Sequence, residues 1–336
     1  MNKVLLIAND KFVINTHFSN LADEQVLDFV SLNDFSENYN FKDRKSLSFG
    51  DIILIIKLLK FVKNGKYKKL AFFGYKAILY SIFFPFNSKI LFICGEYRSS
   101  IKSKFLINCY VKYLRLYELI LTDSIWQFNF LKSEFPRTNV KLISNYGSIK
   151  GVKVNSNIIP DKYIDFIYVG RISIQKGFKA IEYLINNIEK RNSYNYLFIG
   201  PVELNEKDSQ EFELMKKVYR IKHLISLSEN EVYEKFELSK CLLNPSLSEG
   251  FGSTIIEAIS RQCKVVITPY NSSFELRNTF KSLKVSSTFS KEDFYTEVIN
   301  SINTEFDHDD LKNITQKYNS LDHILFYKKI FLDDNL

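Results

Sequence analysis

Residues 243–259 read LNPSLSEGFGSTIIEAI and lead from an apolar strand, through a loop with two glycines, into a helix. Gly250 and Gly252 favour a loop, and Ser253 and Thr254 are typical of a helix start. The N-terminus of a helix that follows such a loop can bind an anion, because its free N–H groups and the positive end of its dipole face the loop. The stretch therefore predicts an anion site.

Two carboxylates flank this predicted anion site. Glu249 falls in the loop, and Glu257 falls on the first turns of the helix. Carboxylates beside a phosphate pocket suit a ligand with phosphate at one end and hydroxyl groups at the other, which describes a sugar nucleotide. The simpler interpretation is a solvated acidic loop before an ordinary amphipathic helix, and short glycine motifs by themselves favour it.

A second loop in a similar context lies upstream. Residues 168–178 read YVGRISIQKGF, with Arg171 directly after a strand and a glycine, and Lys176 at the predicted start of a helix. Arg can bind a diphosphate through two hydrogen bonds, and Lys adds a point charge. The alternative is a pair of surface cations, although the helix dipole disfavours cations at this position.

Strand and helix patterns alternate along the whole chain. In the first half the predicted strands are 4–9, 26–32, 70–73, 89–94, 119–122 and 140–144, and in the second half they are 164–169, 194–199, 224–227, 241–244, 265–268 and 283–286. The intervening helices include 49–62, 101–117, 176–189 and 211–221, and residues 148–162 are interpreted as a linker. The fold class is therefore α/β, with two doubly wound parallel-sheet domains that bind ligands in the cleft between them, where strands end.

Composition excludes several classes of protein. Hydrophobic residues make up 46% of the chain and charged residues 25%, which is typical of a soluble globular protein. No apolar run reaches transmembrane length, no signal peptide precedes the first strand, and the four cysteines form no C-x-x-C pair. We therefore expect a cytoplasmic protein with reduced cysteines.

The positive charge is concentrated in the first half. Residues 1–150 hold 22 Lys and Arg against 12 Asp and Glu, whereas the remainder holds 24 against 26. The helical patterns 49–62 and 101–117 place cations beside apolar faces, which favours docking on anionic lipid at the inner face of the cytoplasmic membrane. A solvated basic exterior is the alternative. Nucleic-acid binding is disfavoured, because the chain has no helix-turn-helix, zinc or RNA-recognition signature.

Taken together, VGRISIQKG, NPSLSEGFGSTIIEAISRQCKVVIT and their spacing resemble the retaining glycosyltransferases of family 4 (glycosyl transferases group 1), in their bacterial surface-polysaccharide form. The resemblance implies the two-domain GT-B fold, with an acceptor-side domain at 1–150, a nucleotide-sugar domain at 151–317 and a C-terminal helix at 318–336 that packs back on the first domain. It also implies transfer of a sugar from a UDP- or GDP-sugar to a glycan or lipid-linked acceptor, in lipopolysaccharide or capsule assembly.

The resemblance assigns roles to single residues. Arg171 and Lys176 would hold the donor diphosphate, and Glu249 would contact the donor sugar. Glu257 would bond the ribose hydroxyls, and Gly200 would allow close approach behind the nucleotide. The other residues expected at the donor are Gly170, Phe251, Gly252, Ser253 and Thr254, and Glu96 at the end of the strand 89–94 would face the acceptor.

The implied chemistry uses no cofactor and no metal. The chain has no Asp-x-Asp motif and its four histidines are scattered, so Arg171 and Lys176 would neutralise the diphosphate in place of Mg²⁺. The segment ANDKFVINTHF after the first strand lacks the glycine pair that family members often carry, so no residue of the first domain is assigned to the donor phosphates. A GT-B epimerase or phosphorylase and a non-catalytic glycan- or nucleotide-binding relative stay open as alternatives.

Overall fold

The computed structural model describes residues 4–8, 27–35, 49–65, 67–84, 89–93, 113, 117–122, 125–134, 136–143, 161–188, 193–249, 252–270, 273–318 and 320–332. The chain divides into two compact units. One is formed by Met1–Lys150 together with Asn319–Leu336, and the other by Gly151–Tyr318.

The first unit is built on a parallel sheet with the strand order β2-β1-β3-β4-β5-β6. Its described strands are β1 (Val4–Ala8), β2 (Leu27–Ser31), β3 (Lys69–Phe73), β4 (Lys89–Ile93), β5 (Leu119–Thr122) and β6 (Val140–Leu142). Its described α-helices are α1 (Phe49–Gly65), α2 (Tyr75–Tyr80), α3 (Ile125–Glu134) and, from the end of the chain, α11 (Ser320–Leu332). Every residue of β1 is buried, as expected for a central parallel strand that is covered on both faces.

Alternate residues of these strands serve two separate cores. On one face, α1 packs Leu54, Leu58 and Val62 against the side chains of β1, β3 and β4. On the other face, Tyr327 and Phe331 of α11 pack against the remaining side chains of the same strands. The last helix of the chain therefore completes the core of the first unit.

The second unit is also a parallel sheet, with the strand order β12-β11-β10-β7-β8-β9. Its strands are β7 (Ile164–Val169), β8 (Tyr196–Ile199), β9 (Ile221–Leu224), β10 (Ser239–Asn244), β11 (Lys264–Ile267) and β12 (Leu283–Val285). Its described helices are α4 (Phe178–Asn187), α5 (Glu206–Val218), α6 (Glu229–Glu237), α7 (Ser253–Ser260), α8 (Ser273–Arg277), α9 (Lys291–Ile302) and α10 (Asp309–Lys317). Because β8 and β9 follow β7 on one side and β10 to β12 lie on the other, this is the strand order of the doubly wound dinucleotide-binding fold.

Two elements of the second unit differ from the prediction. α5 begins at Glu206 and not at 211, because the Asn205 side chain caps it and accepts a hydrogen bond from Asp208 N at 2.9 Å. The edge strand is Ile221–Leu224 and not 224–227, since these residues pair in register with β8, whereas Ile225 is exposed.

The predicted fold class is otherwise confirmed, and the remaining described strands agree with the predicted ones within about two residues. Several predicted features lie outside the described residues. These are the loop that follows β4, most of the helix 101–117, and residues 148–160 of the linker.

Candidate functional site

The sheet order of the second unit places two loops side by side at the carboxyl ends of its strands. β7 and β10 are neighbouring parallel strands, with Phe166 opposite Cys241. After β7 the chain turns towards β8, and after β10 it turns towards β11 on the opposite side. In open α/β sheets, ligands bind in the crevice between loops that diverge in this way. The structure thus brings together the two loops that the sequence predicted as binding elements.

An ion pair joins these two loops. The Lys176 ammonium donates to Glu249 Oε1 at 2.6 Å, and the Ser246 hydroxyl donates to the same oxygen at 2.6 Å. The Lys176 and Glu249 side chains expose 23% and 16% of their surface, so both are partly accessible to a ligand. A cation can take an anionic group of a ligand, and the neighbouring carboxylate can accept from its hydroxyl groups.

Backbone contacts fix the two loops against each other. Leu247 N donates to Gln175 O at 2.9 Å. Gly177 has a φ of +82°, and a Cβ at this position would lie 2.0 Å from Pro245 O, so only glycine fits. Because α4 starts after Gly177, Lys176 lies in the turn before the helix and not on its first turn as predicted. Gly177 was not predicted as a site residue, although a glycine directly before an apolar helical stripe was the available signal.

Arg171 makes a separate ion pair. Its guanidinium bonds Glu203 Oε2 at 2.8 Å, with 50% and 47% of the two side chains exposed. Glu203 follows β8 and was not predicted. The Tyr168 hydroxyl donates to Arg171 O at 2.7 Å and so holds the backbone of the loop. Burial, and then the nearby Glu249, raise the pKa of Tyr168 well above its usual value, so this hydroxyl stays a neutral donor.

Gly170 and Gly200 meet at the ends of β7 and β8. Gly170 N donates to Ile199 O at 2.9 Å, and a Cβ on Gly200, which has a φ of +144°, would lie 2.0 Å from Gly170 O. Gly200 O in turn bonds His223 Nε2 at 2.8 Å. Among the described residues, Gly200 therefore allows close approach to the backbone at Gly170, at the start of the loop after β7.

The N-terminus of α7 lies at the end of the second loop. The helix begins at Ser253 after Gly252, which has a left-handed φ of 83°. The N–H groups of Ser253 and Thr254 have no acceptor within the helix, because they belong to its first turn. Tyr270 packs against this turn, and a Cβ on Gly252 would lie 3.1 Å from Tyr270 Oη. Phe251, predicted beside the donor, lies outside the described residues.

Glu257 lies further along α7 in a different environment. Burial raises its pKa to about 7, with Glu229 adding to the shift and Arg261 opposing it. The Arg261 guanidinium lies 4.8 Å from the centre of the Tyr233 ring, and the Tyr233 hydroxyl donates to Glu229 Oε1 at 2.7 Å. A carboxyl with this pKa can accept hydrogen bonds from hydroxyl groups when ionised and donate one when protonated.

Three further predictions concern the acceptor residue, a metal ion and the membrane. Glu96 lies outside the described residues. Among the residues that are described, no three His, Cys, Asp or Glu side chains lie close enough together to hold a metal ion. None of the described helices combines the length and the apolar character needed to cross a membrane.

Comparison with known sequences gives a family match within the second unit. Residues 152–317 match the family model described as Glycosyl transferases group 1. An uncharacterized glycosyltransferase of Methanocaldococcus jannaschii is 24% identical over 241 residues, which cover 67% of this chain and 53% of the relative. The chain thus spans about half the length of the curated relative that it matches.

Comparison with solved structures identifies the fold. A sucrose-phosphate synthase from Thermosynechococcus elongatus superposes with a TM-score of 0.77 at 11% identity, covering 99% of this chain and 98% of that one. Anabaena HepE, solved with UDP and glucose, gives 0.74 at 13% identity over 99% and 100% of the two chains. S. aureus TarM, solved with α-GlcNAc-glycerol and UDP, gives 0.66 at 14% identity over 83% of this chain and 59% of TarM. At these identities the likeness shows the fold, which is GT-B.

Proposed function

We propose that this chain, whose residues 152–317 match the glycosyl transferases group 1 family model, is a retaining glycosyltransferase. It moves a sugar from a nucleoside-diphosphate sugar to a glycan or lipid-linked acceptor during assembly of a surface polysaccharide or lipopolysaccharide. The family match and the 24% identical glycosyltransferase support glycosyl transfer. UDP is bound in both HepE and TarM, which favours UDP over GDP as the donor nucleotide.

The observation that carries the proposal is the contact between Lys176 and Glu249 across the crevice. The two side chains come from loops 73 residues apart, and they meet where the strand order diverges. A nucleotide sugar presents a diphosphate and a ring of hydroxyl groups in close succession. Lys176 and the N-terminus of α7 provide donors for the diphosphate, and Glu249 provides an acceptor for the hydroxyl groups.

The proposed reaction keeps the configuration of the donor sugar. The acceptor oxygen forms a bond to the anomeric carbon on the face from which the diphosphate departs, and a phosphate oxygen takes the acceptor proton. Lys176 and Arg171 stabilise the charge that develops on the leaving diphosphate, in place of a divalent cation. Glu249 orients the sugar and Glu257 binds the ribose hydroxyls, so the protein acts by position and charge.

A thermal-shift screen tests the donor first. We expect UDP and UDP-sugars to raise the melting temperature more than GDP, and EDTA to leave the shift unchanged. A larger shift with GDP would change the nucleotide assignment. A shift that EDTA abolishes would overturn the metal-independent proposal.

Transfer and donor hydrolysis in wild type and Glu249→Ala test the role of the site. We expect a loss of at least 100-fold, about 2.7 kcal/mol of transition-state stabilisation, because the donor sugar loses its hydroxyl acceptor. Glu234→Ala, an exposed carboxylate of α6, is the matched control. Unchanged transfer in Glu249→Ala would contradict the assignment.

Analysis of the reaction products separates sugar transfer from epimerisation and phosphorolysis. Nucleotide binding without turnover would favour a non-catalytic relative.

We further propose that α1 docks the enzyme on anionic lipid at the inner face of the cytoplasmic membrane. Ile52, Ile53 and Ile56 of α1 expose 52%, 46% and 49% of their surface, and Lys60 and Lys63 are exposed beside them. Isoleucines can insert among lipid headgroups while neighbouring lysines contact anionic phosphates. The charge of the first 150 residues, 22 Lys and Arg against 12 Asp and Glu, suits the same surface.

Vesicle flotation tests this docking surface. We expect binding to vesicles that contain phosphatidylglycerol but not to pure phosphatidylcholine, and weaker binding at high salt. The double change Ile53→Ser with Ile56→Ser should reduce flotation. Leu214→Ser with Val218→Ser on α5, which expose 53% and 55%, is the matched control in the second unit. Equal flotation of all three proteins would contradict the role of α1.

A further inference from the structure

Tyr270 places a buried hydroxyl group at the start of α7. The residue follows β11, and only 1% of it is exposed. Its Oη has no hydrogen-bond partner among the described residues. The oxygen is directed at the turn that starts α7, because a Cβ built on Gly252 would lie 3.1 Å from it.

A buried hydroxyl without a partner is unfavourable, because it has lost its bonds to water. The turn that it faces leads into α7, whose first two N–H groups, of Ser253 and Thr254, have no intrahelical acceptor. The start of α7, which is already suited to an anion, therefore has a buried hydroxyl directed at it in addition to its own N–H groups. A phosphoryl oxygen is the type of acceptor that would satisfy such a set.

We propose that the Tyr270 hydroxyl donates a hydrogen bond to a phosphoryl oxygen of the bound nucleoside diphosphate, next to the N–H groups of Ser253 and Thr254. The inference rests on the proposed function, since it assumes that the diphosphate binds at this end of α7. Tyr270 is then a binding residue that recognises the phosphates and not the nucleoside.

The environment of the hydroxyl suits this role. Burial, and then the charge of Glu249, raise the pKa of Tyr270 well above its usual value, so the group keeps its proton throughout the working pH range. It adds a donor without adding a charge. Gly252 is part of the same arrangement, because a side chain there would crowd the hydroxyl and separate it from the helix end.

The test compares wild type with Tyr270→Phe, which removes only the hydroxyl. UDP and GDP are titrated calorimetrically, and uridine and guanosine are titrated by NMR. We expect the dissociation constant for the preferred diphosphate to rise about tenfold or more, because a hydrogen bond to a charged group is lost. Nucleoside binding should be unchanged. The melting temperature without ligand should not fall, because the hydroxyl makes no bond that unfolding would break.

Tyr196→Phe is the control, because Tyr196 is a buried tyrosine at the amino end of β8, away from the loops. The Tyr196→Phe variant should bind the nucleoside diphosphate with the same affinity as wild type. Equal diphosphate affinity in Tyr270→Phe and wild type would overturn the inference while leaving the proposed function intact. A parallel loss of nucleoside binding would also overturn it, since the change would then have damaged the whole pocket. If wild type binds neither UDP nor GDP, the proposed function itself fails.

Discussion

Lys176 is one of the two cations of the proposed donor site. It reaches Glu249 at 2.6 Å, whereas Arg171 pairs with Glu203 on the neighbouring loop. We predict that Lys176→Met weakens UDP binding roughly 10- to 100-fold, because a charge-assisted bond to phosphate is lost. Arg171→Met should weaken it less, since that side chain is half exposed and its charge is screened by water. Calorimetric titration of both variants measures the difference.

The control for this comparison is Lys179→Met. Lys179 lies three residues after Lys176 but pairs with Glu182 and Asp208, at 2.8 and 2.7 Å. Its loss should leave UDP affinity unchanged. A larger effect at Arg171 than at Lys176 would show that the diphosphate lies nearer the loop after β8.

Glu257 should make the stability of the second unit depend on pH. Its pKa is raised by burial from 4.5 to about 7, so the folded chain keeps a proton that the unfolded chain has lost. Stability should therefore fall as the pH rises from 4.5 to 7, by about 1–3 kcal/mol. Glu257→Gln should remove this part of the pH dependence and be more stable than wild type at pH 8. Urea unfolding at pH 5 and pH 8 measures it.

The exposed Glu234→Gln on α6 is the control for the pH experiment and should keep the wild-type pH dependence. If Glu257→Gln shows the same slope as wild type between pH 5 and 8, then another group is responsible. In wild type, the affinity for nucleotide should change with pH in the opposite direction to the stability. Affinity should rise through pH 7, because only the ionised carboxylate accepts two hydroxyl bonds from a ribose.

Some residues of the candidate site could be singled out from the sequence, because they are charged and lie in loops that follow strands. Lys176 and Glu249 are such residues, in the loops after β7 and β10, on the side of the sheet where α/β proteins bind ligands. Their partners were not predictable in the same way. Ser246 and Glu203 are ordinary polar loop residues, and Tyr270 looks like a core aromatic, until the fold shows which distant segments they face.

At the scale of elements, the approach of α4 to the loop after β10 depends on one glycine. Gly177 combines a φ of +82° with a Cβ position 2.0 Å from Pro245 O. We predict that Gly177→Ala lowers the free energy of unfolding of the second unit by about 2–4 kcal/mol, through backbone strain and a clash with rigid backbone. Urea unfolding followed by far-UV circular dichroism measures the change.

The variant Gly170→Ala separates the effect of backbone strain from the effect of a steric clash. Gly170 has a φ of +140°, but nothing lies within 4 Å of a Cβ built there. Its substitution should therefore cost only the backbone strain, about 1–3 kcal/mol. If Gly177→Ala costs less than Gly170→Ala, the contact with Pro245 is not what positions α4.

Element positions followed from periodicity wherever the apolar pattern was strong. The strand patterns around Val4, Ile164 and Cys241 gave boundaries close to those of β1, β7 and β10. The misplacement of β9 has a physical cause. Its residues lie at the sheet edge and are only partly buried, so their hydrophobic pattern is weak, and pairing with β8 decides the register. The early start of α5 depends on a cap, which apolar periodicity does not reveal.

At the scale of the whole chain, the two units share an architecture but differ in charge and in how their cores close. Both have six parallel strands in the described residues, and the excess of basic residues belongs to the first unit. The second unit is continuous in sequence, whereas the first needs α11 from the end of the chain. The family resemblance implied that α11 packs on the first unit. The hydrophobic pattern did not show it, because α11 carries apolar residues around most of its surface and so has no single apolar face.

The contact of α11 leads to a prediction about cooperativity. Phe331 is 2% exposed, and its ring lies 6.3 Å from Phe92 of β4 and 5.4 Å from Tyr327. We predict that Phe331→Ala destabilises the first unit by about 3–5 kcal/mol through loss of buried ring contacts. Because the core it serves lies within the first unit, hydrogen exchange should accelerate in β1 and β4 and stay unchanged in β7 and β10.

The reciprocal change is Phe212→Ala, which removes a fully buried ring of α5 that packs on Phe178 and Phe198 in the second unit. It should accelerate exchange in β7 and β8 and leave β1 and β4 protected. UDP should slow exchange in the second unit of the Phe331→Ala variant as it does in wild type, because the proposed donor residues all lie in that unit. Faster exchange in both units after either change would show instead that the two units unfold together.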